Sequence, residues 1–98
     1  MSDNGMRPIH PGEILREEFL EPMDMSVNAL SKALQVPATR MNEIARGNRG
    51  VTANTAMRLA RYFGTTERFW LNLQIEYELR TAQIQNASRI AEEVAPYG

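Results

Sequence analysis

Signals that start and stop helices recur at such short intervals between Pro11 and Thr66 that a sheet finds no place in this chain. No stretch alternates apolar and polar residues over the length of a strand, so the expectation is all-α, a compact bundle of five or more helices. His10-Pro11-Gly12-Glu13 reads as an entry, because Pro11 suits the first helical position and Glu13 sits near the positive end of the helix dipole. Ile14, Leu15, Phe19 and Leu20 form its buried side, and Pro22 stops it. Ser26 can cap a second helix carrying Leu30, Ala33 and Leu34. Pro37 opens a third, which holds Met41 and Ile44 and leaves through Gly47. Thr52 caps a fourth, in which Ala56, Leu59, Ala60 and Phe63 fall at i, i+3, i+4 and i+7. Val51 can staple against Ala56, and Gly64 is placed to end this helix in a left-handed turn. Thr65 or Thr66 starts a fifth, with Phe69, Trp70, Leu73 and Tyr77. Farther on, Ala87, Ile90, Ala91 and Val94 repeat the apolar spacing until Pro96 breaks it.

A chain of 98 residues bounds the plan to one small domain. Residues 1–8 read as a mobile N-terminal arm, 9–80 as the folded domain and 81–98 as a helical tail with apolar surface to spare. With no cysteine, neither disulfides nor a cysteine-rich zinc site can contribute, which fits the cytoplasm. No apolar run reaches the length of a signal peptide or a membrane span, so a membrane role is not expected.

The formal net charge of −1 averages three unlike regions. Residues 1–31 are acidic, with Glu13, Glu17, Glu18, Glu21 and Asp24 among them. Residues 62–98 are mildly acidic. Residues 32–61 set Lys32, Arg40, Arg46, Arg49, Arg58 and Arg61 against a single acid, Glu43. A basic middle in a neutral chain is either a solvated surface or a dock for a polyanion.

Its context favours the dock. Only Gln35 and Val36 separate the second helix from the Pro37 that opens the third, and a basic loop follows, a helix-turn-helix arrangement. Ser31 is small where the helices cross, and Leu34, Val36, Met41 and Ile44 form the wedge that fixes the crossing. Ala38, Thr39, Asn42 and Glu43 then project outward, with Arg40 and Arg46 on their flanks to neutralise phosphates beside a major groove. Ala38 could contact only a thymine methyl; Thr39 could do that or donate from its hydroxyl; Glu43 could accept from a cytosine amino group. Asn42 could read adenine or bind phosphate. Glu43 could equally be spent in a pair with Arg40 or Arg46. Arg46, Asn48 and Arg49, around the Gly47 exit, read as backbone contacts.

The phrases HPGEILREEFL, MNEI, GVTANTAMRLARYFGTT and FWLNLQ followed by Tyr77 resemble the HigA (VapI-type) antitoxins, within the Cro/cI-like helix-turn-helix family. The resemblance runs from about Pro8 to Tyr77. It implies a lambda-repressor-like DNA-binding fold and a homodimer. It also implies binding to an operator in the protein's own promoter, and inhibition of a HigB-type toxin that cleaves mRNA; no cofactor is implied. Carried over by position, the recognition helix runs from Pro37 to Arg46. Ala38, Thr39 and Glu43 fall at base-facing positions, and Arg40, Asn42, Asn48 and Arg49 at phosphate-facing ones. Three residues depart from the family pattern: Gln35 stands where glycine usually makes a left-handed turn, Val27 where glutamine often binds phosphate, and Ala38 where a larger polar residue is frequent.

Rival classes have less to stand on. An enzyme would have to work with one histidine, His10, which is better explained as the residue before a helix-starting proline. A free-standing repressor without a toxin partner would share the basic middle and the tail, and FWLNLQ weighs against it. An adaptor that kept the fold and lost DNA would draw on Val27, Gln35 and Ala38. The tail and fifth helix are the candidate dimer contact, with Phe69 and Trp70 assigned to the monomer core.

Overall fold

The computed structural model of the chain describes residues 7–98, and within them every regular element is helical. Helix α1 spans Pro11–Ile14 and continues as a π-helical segment, Leu15–Leu20. Helices α2 (Val27–Leu34) and α3 (Ala38–Ala45) follow, then α4 (Ala53–Phe63) and a long α5 (Glu67–Glu93).

The expected caps are in place. Ser26 Oγ accepts from the Ala29 N–H, Thr52 from Thr55, and Thr66 rather than Thr65 from Phe69. Thr65 instead accepts a hydrogen bond from the Trp70 indole, at 2.8 Å. Each cap satisfies a backbone donor that the helix cannot satisfy itself, and each contributes about 0.5–2 kcal/mol. Gly64 leaves α4 with φ of +75°, as its position predicts.

The π-helical segment is not legible in the sequence pattern. Its wider turn closes with the Glu21 N–H bonded to the Arg16 carbonyl five residues back. In that geometry Leu15 and Leu20 are both buried, while Phe19 lies half-buried against Phe63 and Trp70 at ring separations of 4.8 and 5.1 Å.

One core gathers Leu15, Leu30, Met41, Ile44, Leu59 and Trp70 from all five helices, each almost wholly excluded from solvent. Val51 and Ala56 are buried in the same cluster, in keeping with the expected staple. Trp70 is in the core as expected, whereas Phe69 remains 38% exposed and only edges onto it. The reason is rotational: consecutive residues on a helix point about 100° apart, so both cannot face the same core.

Helix α5 runs unbroken across residue 80 and leaves the body. From Ala82 onward every residue is exposed except the half-buried Asn86, and the molecule measures 51 × 25 × 23 Å. Ile75, Leu79, Ile84 and Ile90 are exposed along it. The arm expected over residues 1–8 lies outside the described residues up to position 6; Arg7 makes a two-pronged pair with Glu13, both bonds at 2.8 Å. That pair holds the Glu13 carboxyl below the usual carboxylate range. Among the described residues no helix is long and apolar enough to cross a membrane.

Candidate nucleic-acid interface

Helices α2 and α3 meet through a turn whose conformation is set by Gln35. It adopts the left-handed region, with φ 57° and ψ 47°, as a glycine would. The turn is therefore unaltered by the substitution. Its N–H bonds the Lys32 carbonyl and the next N–H, of Val36, bonds Ser31, so the C-terminal carbonyls of α2 are satisfied. Leu34, Val36, Met41 and Ile44 are all buried, which makes the wedge real, and Ser31 is buried at the crossing with its hydroxyl on the Asn28 carbonyl at 2.7 Å. Arg58, from α4, closes the same end by donating to the Leu34 carbonyl at 2.9 Å.

The opposite face of α3 is open. Ala38, Thr39 and Arg40 are exposed, Asn42 and Glu43 half-buried, and Arg46, Asn48 and Arg49 exposed in and after the final turn. All eight residues singled out in the sequence thus lie on one helix and the loop that follows it. Among the described residues neither Arg40 nor Arg46 has an ion-pair partner, so both charges are available to an external anion.

Three of the eight are more engaged than their sequence context shows. Glu43 pairs with Arg49, at 2.7 Å, and not with Arg40 or Arg46. The left-handed Gly47, with φ of +83°, folds the loop back so that the Asn48 N–H reaches the Glu43 carbonyl and brings Arg49 over the carboxylate. Asn42 donates both to Asn28 Oδ1 at 3.0 Å and to the Ala38 carbonyl at 2.8 Å, bridging α3 to α2. Its amide donors are occupied in the free protein. Asn28, exposed on α2 and at the rim of the same face, is a residue the sequence reading missed.

The loop rests on a support from the other end of the chain. Gln74, buried on α5, accepts from the Val51 N–H at 2.7 Å, and a Cβ at Gly50 would fall 2.9 Å from its amide nitrogen. His10 is buried beneath the same loop, its Nδ1 accepting from the Gly12 N–H at 2.8 Å and its ring edge-on to Tyr77 at 4.8 Å. Burial pushes the His10 pKa below its ordinary value, while a backbone hydrogen bond with Arg49 opposes the shift. His10 is therefore more than a residue before a proline: it caps α1 and underlies the basic loop. Gln74, the last residue of FWLNLQ, braces that loop, and the Tyr77 that follows packs on His10 beneath it.

A buried wedge, a left-handed turn and an outward second helix with flanking cations define a helix-turn-helix protein. No family model matches the chain. It is 58% identical over 80 residues to virulence-associated protein I of Dichelobacter nodosus, covering 82% of this chain and 74% of that one. It is 40% identical over 73 residues to antitoxin HigA-1 of Vibrio cholerae, covering 74% of this chain and 69% of the relative. The Pseudomonas aeruginosa antitoxin HigA, whose structure was solved with the higBA promoter, superposes with a TM-score of 0.91 at 52% identity, over 94% of this chain and 100% of that one. The chain belongs to the HigA antitoxin family of helix-turn-helix proteins.

Proposed function

We propose that the chain is an antitoxin that represses its own promoter as a homodimer and neutralises a HigB-type toxin that cleaves mRNA. The observation that carries the DNA-binding part is the open face of α3, with Ala38 and Thr39 exposed and two cations, Arg40 and Arg46, that have no ion-pair partner among the described residues. Thr39 at the N-terminal turn of α3 donates or makes methyl contact with a base, Ala38 touches a thymine methyl, and Glu43 accepts from a cytosine amino group through the carboxylate oxygen that Arg49 leaves open. Arg40, Arg46, Asn48 and Arg49 hold phosphates on the margins and fix the register of the helix in the groove. Asn42 reaches phosphate only by giving up its bonds to Asn28 and Ala38.

One α3 covers only a few base pairs, so a two-fold partner about 34 Å along the duplex supplies the rest of the specificity. Ile75, Leu79 and Ile90, on one side of α5, and Ile84, on the other, are all exposed and support that helix as the dimer contact, because a monomer rarely leaves so much apolar surface in water. Glu17, Glu18 and Glu21 are all exposed on or just after the π-helical segment and suit a basic RNA-cleaving partner by charge. The site of action is the cytoplasm, where promoter and toxin both lie.

Co-expression of the chain with a HigB-type toxin encoded beside its gene tests the antitoxin part, and the absence of any such neighbouring reading frame counts against it. Growth is rescued and the two proteins co-purify if the proposal holds; unrelieved toxicity, or no association, removes it. Exchanging Glu17, Glu18 and Glu21 for lysine weakens toxin association if the acidic face is the dock.

A further inference from the structure

The C-terminal end of α3 is held by α1 and the π-helical segment that continues it, and the hold has two parts. Arg16 reaches across from the π-helical segment, and its Nε donates to the Ala45 carbonyl, the last of α3, at 2.8 Å. Gly12 lets the backbones of α1 and α3 touch: a Cβ built there would lie 1.9 Å from the Ile44 carbonyl oxygen and 2.9 Å from its carbon. No side chain of any size fits that approach.

The other terminal carbonyls of α3 are satisfied within the chain segment itself, Asn42 by the Arg46 N–H, Glu43 by Asn48 and Ile44 by Gly47. Ala45 is satisfied by a side chain from another element. Helix α3 has no basic residue in its own last turn, so Arg16 also supplies the positive charge that the negative end of the helix dipole favours. The residues immediately beyond this anchor are Arg46, Asn48 and Arg49.

We propose that Arg16 is a positioning residue for DNA readout: by clamping the Ala45 carbonyl while Gly12 sets the approach, it fixes where the phosphate-facing Arg46, Asn48 and Arg49 stand relative to the base-facing Ala38, Thr39 and Glu43. This rests on the DNA-binding function proposed above and adds to it a residue of the π-helical segment, outside the helix-turn-helix. Loss of the clamp lets the end of α3 shift, so phosphate and base contacts can no longer be made in one register. Sequence-independent attraction, which depends on charge and not on register, survives.

The test uses the full chain, a duplex from its own promoter and a shuffled duplex of the same composition, with binding followed by fluorescence anisotropy over a range of salt. Arg16→Met keeps the alkyl stem and is expected to lower the promoter-to-shuffled affinity ratio at least about fivefold, with the salt slope on shuffled DNA unchanged. Arg16→Lys, which retains a cationic donor, is expected to restore the ratio to within about twofold of the unaltered protein. Gly12→Ala, which changes no charge, is expected to lower the ratio in the same sense. An undiminished ratio in Arg16→Met overturns the proposal. So does equal weakening on both duplexes with the salt slope reduced by about one, the signature of a direct phosphate contact. If circular dichroism shows Arg16→Met unfolded, Arg16→Lys decides, and loss of the ratio in a folded Arg16→Lys overturns it; Gly12→Ala counts only where its circular dichroism matches that of the unaltered chain, and retention of the ratio there overturns it as well. Should the unaltered chain show no promoter preference, the DNA-binding function itself falls, a result distinct from all of these.

Discussion

The guanidinium Nε of Arg49 lies 2.7 Å from Glu43 Oε1, so the acid expected to face a base and the cation expected to face a phosphate are locked to each other across the Gly47 turn. Both side chains are partly exposed, and such pairs contribute only about 0.2–1 kcal/mol to stability. The consequence for binding is larger: Arg49 damps the carboxylate's repulsion of the phosphates while one of its oxygens stays able to accept.

Glu43→Gln should therefore tighten binding to every duplex by removing a negative charge and leaving Arg49 unneutralised, yet relax preference at one base pair. Parallel titrations on promoter and shuffled duplexes measure both changes. Midpoint stability in urea should move by no more than about 1 kcal/mol.

Thr39→Ala and Arg40→Ala should separate the two kinds of contact. The first should lose about 1–3 kcal/mol of discrimination at a single base pair and little elsewhere. The second should weaken all duplexes alike and lower the salt slope by about one. Gel-shift titration against a panel of single-base promoter variants distinguishes them.

The left-handed Gln35 carries strain that glycine would not. Gln35→Gly should raise stability by up to about 1 kcal/mol, since the steric cost of αL disappears while unfolded-chain entropy rises in partial compensation. Thermal or urea unfolding checks the sign. Because the turn already has the conformation glycine would give it, promoter affinity should not change.

How much of this is legible in the sequence depends on what each feature is made of. Caps at Ser26, Thr52 and Thr66, the exits at Gly47 and Gly64 and the wedge around Ser31 follow from local chemistry and short-range periodicity, and they stand where the residues put them. The Glu43–Arg49 pair does not follow, because it depends on how a loop folds back rather than on spacing along a helix. Neither do the contacts of Gln74 with Val51, Arg16 with Ala45, or His10 beneath Gly47, which join residues 23, 29 and 37 positions apart. A polar residue in the middle of an apolar helix face, such as Gln74, is the signal the sequence offers; its partner is not.

His10 gives a pH dependence of known sign. Its pKa in the folded chain lies below the ordinary value of about 6.5, because burial disfavours the imidazolium and Nδ1 must stay unprotonated to accept from Gly12. In the window between the two values the unfolded chain binds more protons, so stability rises with pH there. The contribution is fully present above about pH 6.5 and is lost as pH falls through the depressed value. Urea unfolding at several pH values, compared with His10→Asn, should show the extra acid loss in the unaltered chain only. The single histidine also allows a direct NMR titration.

Helix α3 as the element that enters DNA is most directly tested by titrating the isotope-labelled chain with its promoter duplex and following each backbone amide by NMR. The largest shifts should cluster at residues 38–49, with smaller ones at Asn28, while the exposed half of α5 beyond Thr81 remains unperturbed by DNA. Shifts concentrated on α5 or on the acidic π-helical segment, with α3 unmoved, would contradict the account.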